Sequence, residues 1–148
     1  MKPSLRILTA CLALILLLSA CSRGPKPLAP DAQPGQVPEI AGDYVINGFD
    51  PTGIEYGGRL RISAGAQPGQ YLLQWIISGD LQEGVGTLDG NRLTVEWRST
   101  IGMGRQGQGT AAYTVTRAGE LYGERQVDGY TAPGTETAYP NTAENMSN

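Results

Sequence analysis

Carboxylates are the side chains of this chain that could do acid–base chemistry, because histidine is absent from its 148 residues. Without histidine, Ser-His-Asp and Cys-His catalysis and imidazole-based metal sites are excluded. No spacing among the carboxylates forces a pair together, and Glu96, between Val95 and Trp97, should face water. We therefore expect no enzyme activity, no cofactor and no metal, with a glycosidase-like pair formed across strands as the open alternative. The carboxylates considered are Glu55, Glu83, Asp89, Glu96 and Glu124.

A glycine-rich motif, Gly102-Met103-Gly104-Arg105-Gln106-Gly107, has the spacing of a dinucleotide-binding loop. That function needs a helix to follow, so that the helix N-terminus receives the pyrophosphate. Here an alternating, strand-like segment follows instead. We therefore interpret the stretch from Ser99 to Gly109 as a loop at the rim of a β-structure.

The charge of the chain argues against nucleic acid as a partner. The formal net charge is −3, and nucleic-acid binding through electrostatics needs a basic face. Arg59 and Arg61 lie two positions apart and should share one face of a strand. We expect that face to be solvated, with an anion-binding stripe as the alternative.

Aromatic residues on the apolar alternation are the candidates for a ligand site. We expect them to fill the interior of the fold, and the alternative is that they line a cavity for a small apolar ligand. These residues are Tyr44, Tyr71, Trp75, Trp97 and Tyr113.

The amino-terminal segment reads as an export signal. Lys2 and Arg6 precede an apolar run from Ile7 to Leu18 that is too short to span a bilayer, which takes about 20 residues. The run ends in Leu18-Ser19-Ala20-Cys21, which resembles the lipobox of bacterial lipoproteins. The resemblance implies cleavage after residue 20 and acylation of Cys21. A plain signal peptide is the alternative.

The same resemblance predicts where the chain resides. Acyl chains would hold it at a membrane of the cell envelope. Ser22 follows the cysteine where aspartate favours the inner membrane in enterobacterial lipoproteins, so we expect the outer membrane. With Cys11 removed and Cys21 acylated, neither of the two cysteines could form a disulfide.

Proline-rich and polar stretches flank the central part of the mature chain. From Ser22 to Pro38, proline recurs with few large apolar side chains, so we predict an extended, solvated tether over residues 21–38. A Pro-motif ligand is the alternative. Residues 142–148 are polar and are expected to be disordered.

Residues 39–141 show the alternation of an all-β domain. Tyr71, Leu73, Trp75 and Ile77 alternate between turn residues, and Asp89-Gly90 is typical of a tight hairpin turn. Segments of this kind recur about eight times, and closing them into a ring removes exposed edges. We predict a small antiparallel up-and-down barrel, in which glycines within strands leave room for the facing tryptophans.

Four segments of this domain look like a group of small bacterial exported proteins often labelled fibronectin-binding, which are similar to lipocalin-like or avidin-like barrels. The resemblance implies a calycin-like fold. In those chains a tryptophan is expected soon after the Leu-x-Gly of the late strand, whereas this chain has Glu124 and Arg125 after Gly123. No binding residue is therefore carried over. The segments are 42–48, 56–62, 71–75 and 86–95.

Together these patterns predict a non-enzymatic, lipid-anchored envelope protein whose barrel displays loops for a protein or envelope partner. Two alternatives stay open. One is a carrier or scavenger of a small apolar ligand inside the barrel, and the other is an inhibitor of an envelope-directed hydrolase that inserts the Ser99 to Gly109 loop.

Overall fold

Residues 27–101 and 107–142, which the computed structural model describes, form eight antiparallel β-strands. The lipobox, Cys21, the start of the predicted tether, residues 102–106 of the glycine-rich loop and residues 143–148 lie outside the described residues. The strands are β1 Gly42–Phe49, β2 Glu55–Ala64, β3 Gln70–Ile77, β4 Asp80–Asp89, β5 Arg92–Ile101, β6 Gln108–Val115, β7 Leu121–Val127 and β8 Gly134–Pro140.

Each strand pairs with the next along the chain, and β1 pairs with β8, so the sheet closes into an up-and-down barrel. The closing register places Ile46 opposite Ala138. The Asp89-Gly90 turn joins β4 to β5, and Gly90 has a φ of 57°, which a side chain would disfavour. The predicted fold class is confirmed.

Alternation along the strands separates the interior from the outer face. On β1, β3 and β5 the predicted inward residues are buried or half-buried, and Ile46, Trp75 and Leu93 are fully enclosed. Glu96, between two inward residues of β5, is exposed as predicted. A period of two is sufficient to assign these faces because successive side chains of a strand point to opposite sides of a sheet.

Glycines inside the strands make room for the large interior side chains. A Cβ at Gly84 would lie 3.0 Å from Trp75 Cζ3 and 2.8 Å from a methyl of Val95. A Cβ at Gly123 would collide with the carbonyl oxygen of Ala112 on the neighbouring strand. Glycine at position 84 therefore makes room for the Trp75 indole, and glycine at position 123 allows the close approach of β6 and β7.

The two ends of the barrel differ. We call the end with the β2–β3, β4–β5 and β6–β7 turns the base, and the opposite end, with the β1–β2, β3–β4 and β7–β8 turns, the mouth. The chain that precedes β1 runs across the base. Within the described part of the chain, no helix is long and apolar enough to cross a membrane.

The packing of residues 29–40 against the base corrects the prediction of a solvated tether that ends at Pro38. The backbone N–H of Ala32 donates to Val115 at 2.9 Å, and that of Arg117 donates to the carbonyl of Pro30 at 2.9 Å. Ala32 and Ile40 are 2% and 0% exposed. A proline-rich segment has few hydrogen bonds of its own, but its small apolar residues can cover an open barrel end, so the folded domain begins before residue 39.

Candidate functional site

A buried ion pair lies in the middle of the barrel. Arg125 of β7 and Glu136 of β8 both occupy inward positions, and Nη1 of Arg125 lies 2.9 Å from Oε2 of Glu136. Their side chains are 6% and 0% exposed. The alternation requires this placement, because Leu121 and Gly123 precede Arg125 on the inward face of β7, and Ala138 follows Glu136 on that of β8.

The Glu136 carboxylate has all its acceptor positions occupied. Its Oε1 accepts hydrogen bonds from Trp75 Nε1 at 3.0 Å and from the Tyr113 hydroxyl at 2.7 Å. Its Oε2 accepts from the Tyr56 hydroxyl at 2.8 Å and from Arg125. An ionised carboxylate offers about four acceptor sites, so this group is saturated by its four neighbours.

The Arg125 guanidinium is fixed from two further directions. Nη2 donates to Gln82 Oε1 at 2.7 Å. Its central carbon lies 4.8 Å from the ring centroid of Trp75 and 4.5 Å from that of Trp97, so the cation is in contact with both indoles. Burial is the largest single influence on the pKa of Arg125 and lowers it, but the Glu136 carboxylate acts together with Tyr113 and Tyr56 in the opposite direction, and the pKa is raised. The guanidinium therefore stays charged, and Glu136 balances its charge.

The tyrosines that surround Glu136 remain protonated donors. Burial, followed by the Glu136 carboxylate, raises the pKa of Tyr56 and of Tyr113 well above the usual value for a phenol. Both hydroxyls keep the proton that they donate to the carboxylate. The cluster is thus a closed network of donors around one acid.

Above this cluster, on the side of the mouth, the barrel holds a cavity of about 320 Å³. At about 30 Å³ per water, it offers space for on the order of ten non-hydrogen atoms. Gln82, Arg125 and Trp97 form its floor, and Asp50 and Glu55 lie at its rim. The remaining walls are mainly apolar and include Phe49, Pro51, Ile54, Tyr56, Ile77 and Val127.

A larger concavity of about 1000 Å³ lies on the outer surface of the barrel, across β2 to β6. Most of its lining is polar and outward-facing, as with Arg61, Gln74 and Glu83. Leu72 and Val85 are each 49% exposed there. Both concavities are open to solvent, and they differ in chemistry, because the walls of the mouth cavity are predominantly apolar.

The structure separates the predicted aromatic residues into two groups. Trp75, Trp97 and Tyr113 surround the ion pair, and Trp97 also lines the mouth cavity. Tyr44 and Tyr71 lie towards the base, where the Tyr44 hydroxyl donates to the Ile40 carbonyl at 2.8 Å. Tyr44 and Tyr71 therefore belong to the packed base, whereas Trp97 borders the cavity at the mouth.

The five carboxylates considered as candidates for an acid–base pair do not form such a pair with one another. Glu55 lies at the rim of the mouth, and Glu83, Asp89, Glu96 and Glu124 lie exposed on the outer side of the strands. Arg61 approaches Asp43 at 4.0 Å, and both side chains are mostly exposed. Within the described residues, no group of three His, Cys, Asp or Glu side chains could hold a metal ion.

The sequence reasoning missed Arg125 and Glu136 as interior residues. The signal was present, because the inward assignment of Leu121 and Gly123 makes Arg125 the next inward position of β7. An acid on an inward position of the last strand is the matching signal. A cation and an acid at inward positions of neighbouring strands indicate a buried pair.

No protein family matches the chain, and no curated protein shows significant similarity to it. Any function must therefore be argued from the geometry of the barrel. The arrangement contains a saturated acid, a neutralised cation and a cavity above them, a combination suited to binding.

Proposed function

We propose that the protein is a non-enzymatic binding protein of the cell envelope, anchored to a membrane through acylated Cys21, and that the mouth of its barrel binds a small ligand with an apolar body. The observation that carries the proposal is the cavity of about 320 Å³ with mainly apolar walls at the mouth of the barrel. Ligand pockets commonly have volumes from about 300 to 1000 Å³, apolar walls and a few polar groups.

The polar floor supports binding in preference to catalysis. A general base needs a free lone pair within reach of its proton. Each oxygen of Glu136 already accepts two hydrogen bonds, and Arg125 is directed to Glu136 and Gln82. In this proposal the ion pair is a rigid floor that orients the walls above it.

The anchor rests on the lipobox-like residues that end at Cys21. Cys21→Ser should leave an uncleaved or soluble form, and the native protein should carry acyl chains on its first residue, which mass spectrometry of the mature N-terminus would show. Separation of the envelope membranes by density should place the protein in the outer membrane. Cleavage without acylation would contradict the anchor.

The binding site can be tested with 1-octanol, whose size is close to the space available. Burying about six methylenes at about 0.8 kcal/mol each gives about 5 kcal/mol, or a Kd on the order of 0.3 mM. The protein for this test is the mature chain, residues 21–148, with Cys21→Ser to prevent acylation. We expect octanol to change tryptophan emission and to raise the Tm through binding to the native state.

Two neighbouring residues offer a matched control. Ile77 lines the mouth cavity, whereas Ile76 faces outward and is 55% exposed. Ile77→Trp should fill the cavity and abolish the heat of octanol binding in calorimetry, and Ile76→Trp should leave it unchanged. Equal loss in both variants, or no binding to the parent chain, would overturn the mouth as the binding site.

The two other hypotheses from the sequence stay predictions. A protein partner would have the outer surface and the turns available to it, and Leu72 and Val85 are the exposed apolar residues of the outer groove. The inhibitor hypothesis needs the stretch from Ser99 to Gly109, whose ends are the last residues of β5 and the first of β6 and whose residues 102–106 lie outside the described part. Deletion of this loop without loss of inhibition would dismiss that hypothesis.

A further inference from the structure

The charges around the mouth cavity are unevenly distributed. Among the described residues that line it, Asp50 and Glu55 carry negative charge and Arg125 is the cation. The charge of Arg125 is already balanced by Glu136 at 2.9 Å. A ligand in the cavity therefore meets two carboxylates at the rim whose charge no lining cation compensates.

Among the described lining residues, an anionic ligand would find no available partner. To pair with Arg125, a carboxylate would have to compete with Glu136, which is fully buried and also holds Trp75 and Tyr113. Displacing it would leave a buried charge without its partner, which is costly. The indoles of Trp75 and Trp97 further restrict access, since both contact the guanidinium.

The carboxylates of Asp50 and Glu55 at the rim are both available to interact with a ligand. Three hydrogen bonds from Thr52 and Ile54 hold Oδ1 of Asp50 in the β1–β2 turn, and the hydrogen bond of the Thr52 side chain is the first cause that lowers the pKa of Asp50. Asp50 is therefore ionised at neutral pH. Glu55 makes no hydrogen bond or ion pair with the described residues of the chain and is exposed.

We propose that the mouth cavity selects small amphiphiles whose polar group is cationic, accepts uncharged ones less tightly, and discriminates against anionic ones. This inference rests on the proposed function, because it names the ligand class of the same site. The apolar body packs among Ile77, Val127 and the edge of Trp97, and the cationic group remains at the rim facing Asp50 and Glu55. Amines with a short alkyl or aryl body are the class that fits.

The test uses three compounds of nearly equal size that differ in charge at neutral pH, namely n-octylamine, 1-octanol and octanoate, each below its micelle-forming concentration. Calorimetric titration of the mature chain with Cys21→Ser should rank the amine first and the carboxylate last. Two partly exposed charge interactions that change sign across the series give a difference of about tenfold in Kd. Added salt should narrow this difference, since it screens exposed charges.

A matched pair of variants assigns the effect to the rim. Glu55→Lys reverses one rim charge, and Glu124→Lys makes the same change of net charge on the outer face of β7. Glu55→Lys should weaken octylamine binding about threefold and strengthen octanoate binding, because one of the two exposed attractions becomes a repulsion. Glu124→Lys should preserve the order of the parent chain.

The outcomes separate this inference from the proposed function. If none of the three compounds binds, the proposed function fails. If octanoate binds as tightly as octylamine, and Ile77→Trp abolishes both, the mouth is a binding site but the charge selectivity is wrong. If Glu124→Lys changes the order as much as Glu55→Lys does, the selectivity comes from the net charge of the chain, which overturns its assignment to the rim.

Discussion

The base and the mouth of this barrel are built from the same eight strands, yet one is filled and the other is hollow. At the base, the chain before β1 lies across the opening, and Ile40, Val115 and Leu121 are completely buried. At the mouth, the described connections are short turns that do not cover the interior, and Ile54 is 65% exposed. The comparison shows that the alternation of inward and outward side chains forms the barrel, whereas the segments that connect the strands determine which end stays open.

The two ends also use polar groups differently. The base contains Glu120, which is 3% exposed and accepts hydrogen bonds from the Thr116 hydroxyl and the Ala29 N–H. That carboxylate ties the preceding segment to the β6–β7 turn. Below the mouth, Glu136 instead gathers donors from several strands into one cluster, so stability there depends on a single acid.

The largest expected effect comes from Glu136→Gln. The substitution keeps the shape of the side chain but leaves Arg125 buried without a counter-ion, so the free energy of unfolding should fall by about 4 kcal/mol. Urea unfolding of the mature chain would measure the loss. Glu124→Gln, on the exposed outer face, should change it by less than about 0.5 kcal/mol. Similar values for the two variants would contradict the central role of the buried pair.

A smaller effect should distinguish the apolar side chains of the two ends. Ile40→Ala removes a fully buried side chain at the base and should cost about 3 kcal/mol, through lost burial and a cavity. Ile54→Ala makes the same change at the open mouth and should cost less than about 0.5 kcal/mol. Urea unfolding of both variants compares them directly. If Ile54→Ala were as destabilising as Ile40→Ala, the mouth would be packed like the base.

The smallest of the stability effects should appear at alkaline pH. Burial raises the pKa of Tyr44 at the base, and burial with the Glu136 carboxylate raises that of Tyr113. The folded state is stabilised because it keeps these two phenols protonated. A phenol in the unfolded chain ionises near pH 10, so this contribution to the free energy of unfolding is fully present below about pH 10 and is lost as pH rises further. The loss should be about 1.4 kcal/mol per pH unit for each such tyrosine.

The alkaline effect can be assigned with single substitutions. Tyr113→Phe should remove the contribution of one tyrosine from the slope of the unfolding free energy against pH. Tyr44→Phe should reduce the slope by the same amount. The measurement is urea unfolding at several pH values between about 10 and 12, with tyrosinate absorbance recorded in parallel. An unchanged slope in Tyr113→Phe would show that this phenol already ionises in the folded state.

Much of the fold was predictable from the sequence because a period of two leaves little freedom. Tyr71 to Ile77 assigns one face of β3, and the Asp89-Gly90 turn sets the register of β4 with β5. Closure follows from the need to remove edges. The packing of residues 29–40 was not predictable in the same way, since a proline-rich segment has no periodicity that shows what it will contact.

The candidate site was only partly predictable for a related reason. Alternation shows that Trp75, Trp97 and Tyr44 face inward, but it does not give their height along the barrel. Height follows from the register of all eight strands, which separates Tyr44 at the base from Trp97 near the mouth. Arg125 was noted in the sequence only as a departure from a resemblance, because a charged residue on a strand usually faces solvent.

The most direct test of the account is a map of backbone amide shifts by nuclear magnetic resonance, recorded on the mature chain with Cys21→Ser during titration with n-octylamine. We predict that the amides that shift cluster at the mouth, around Phe49, Ile77 and Val127, and that Ala32 and Ile40 at the base do not respond. Shifts centred on the base, or on Leu72 and Val85 in the outer groove, would contradict the assignment of the mouth as the binding end.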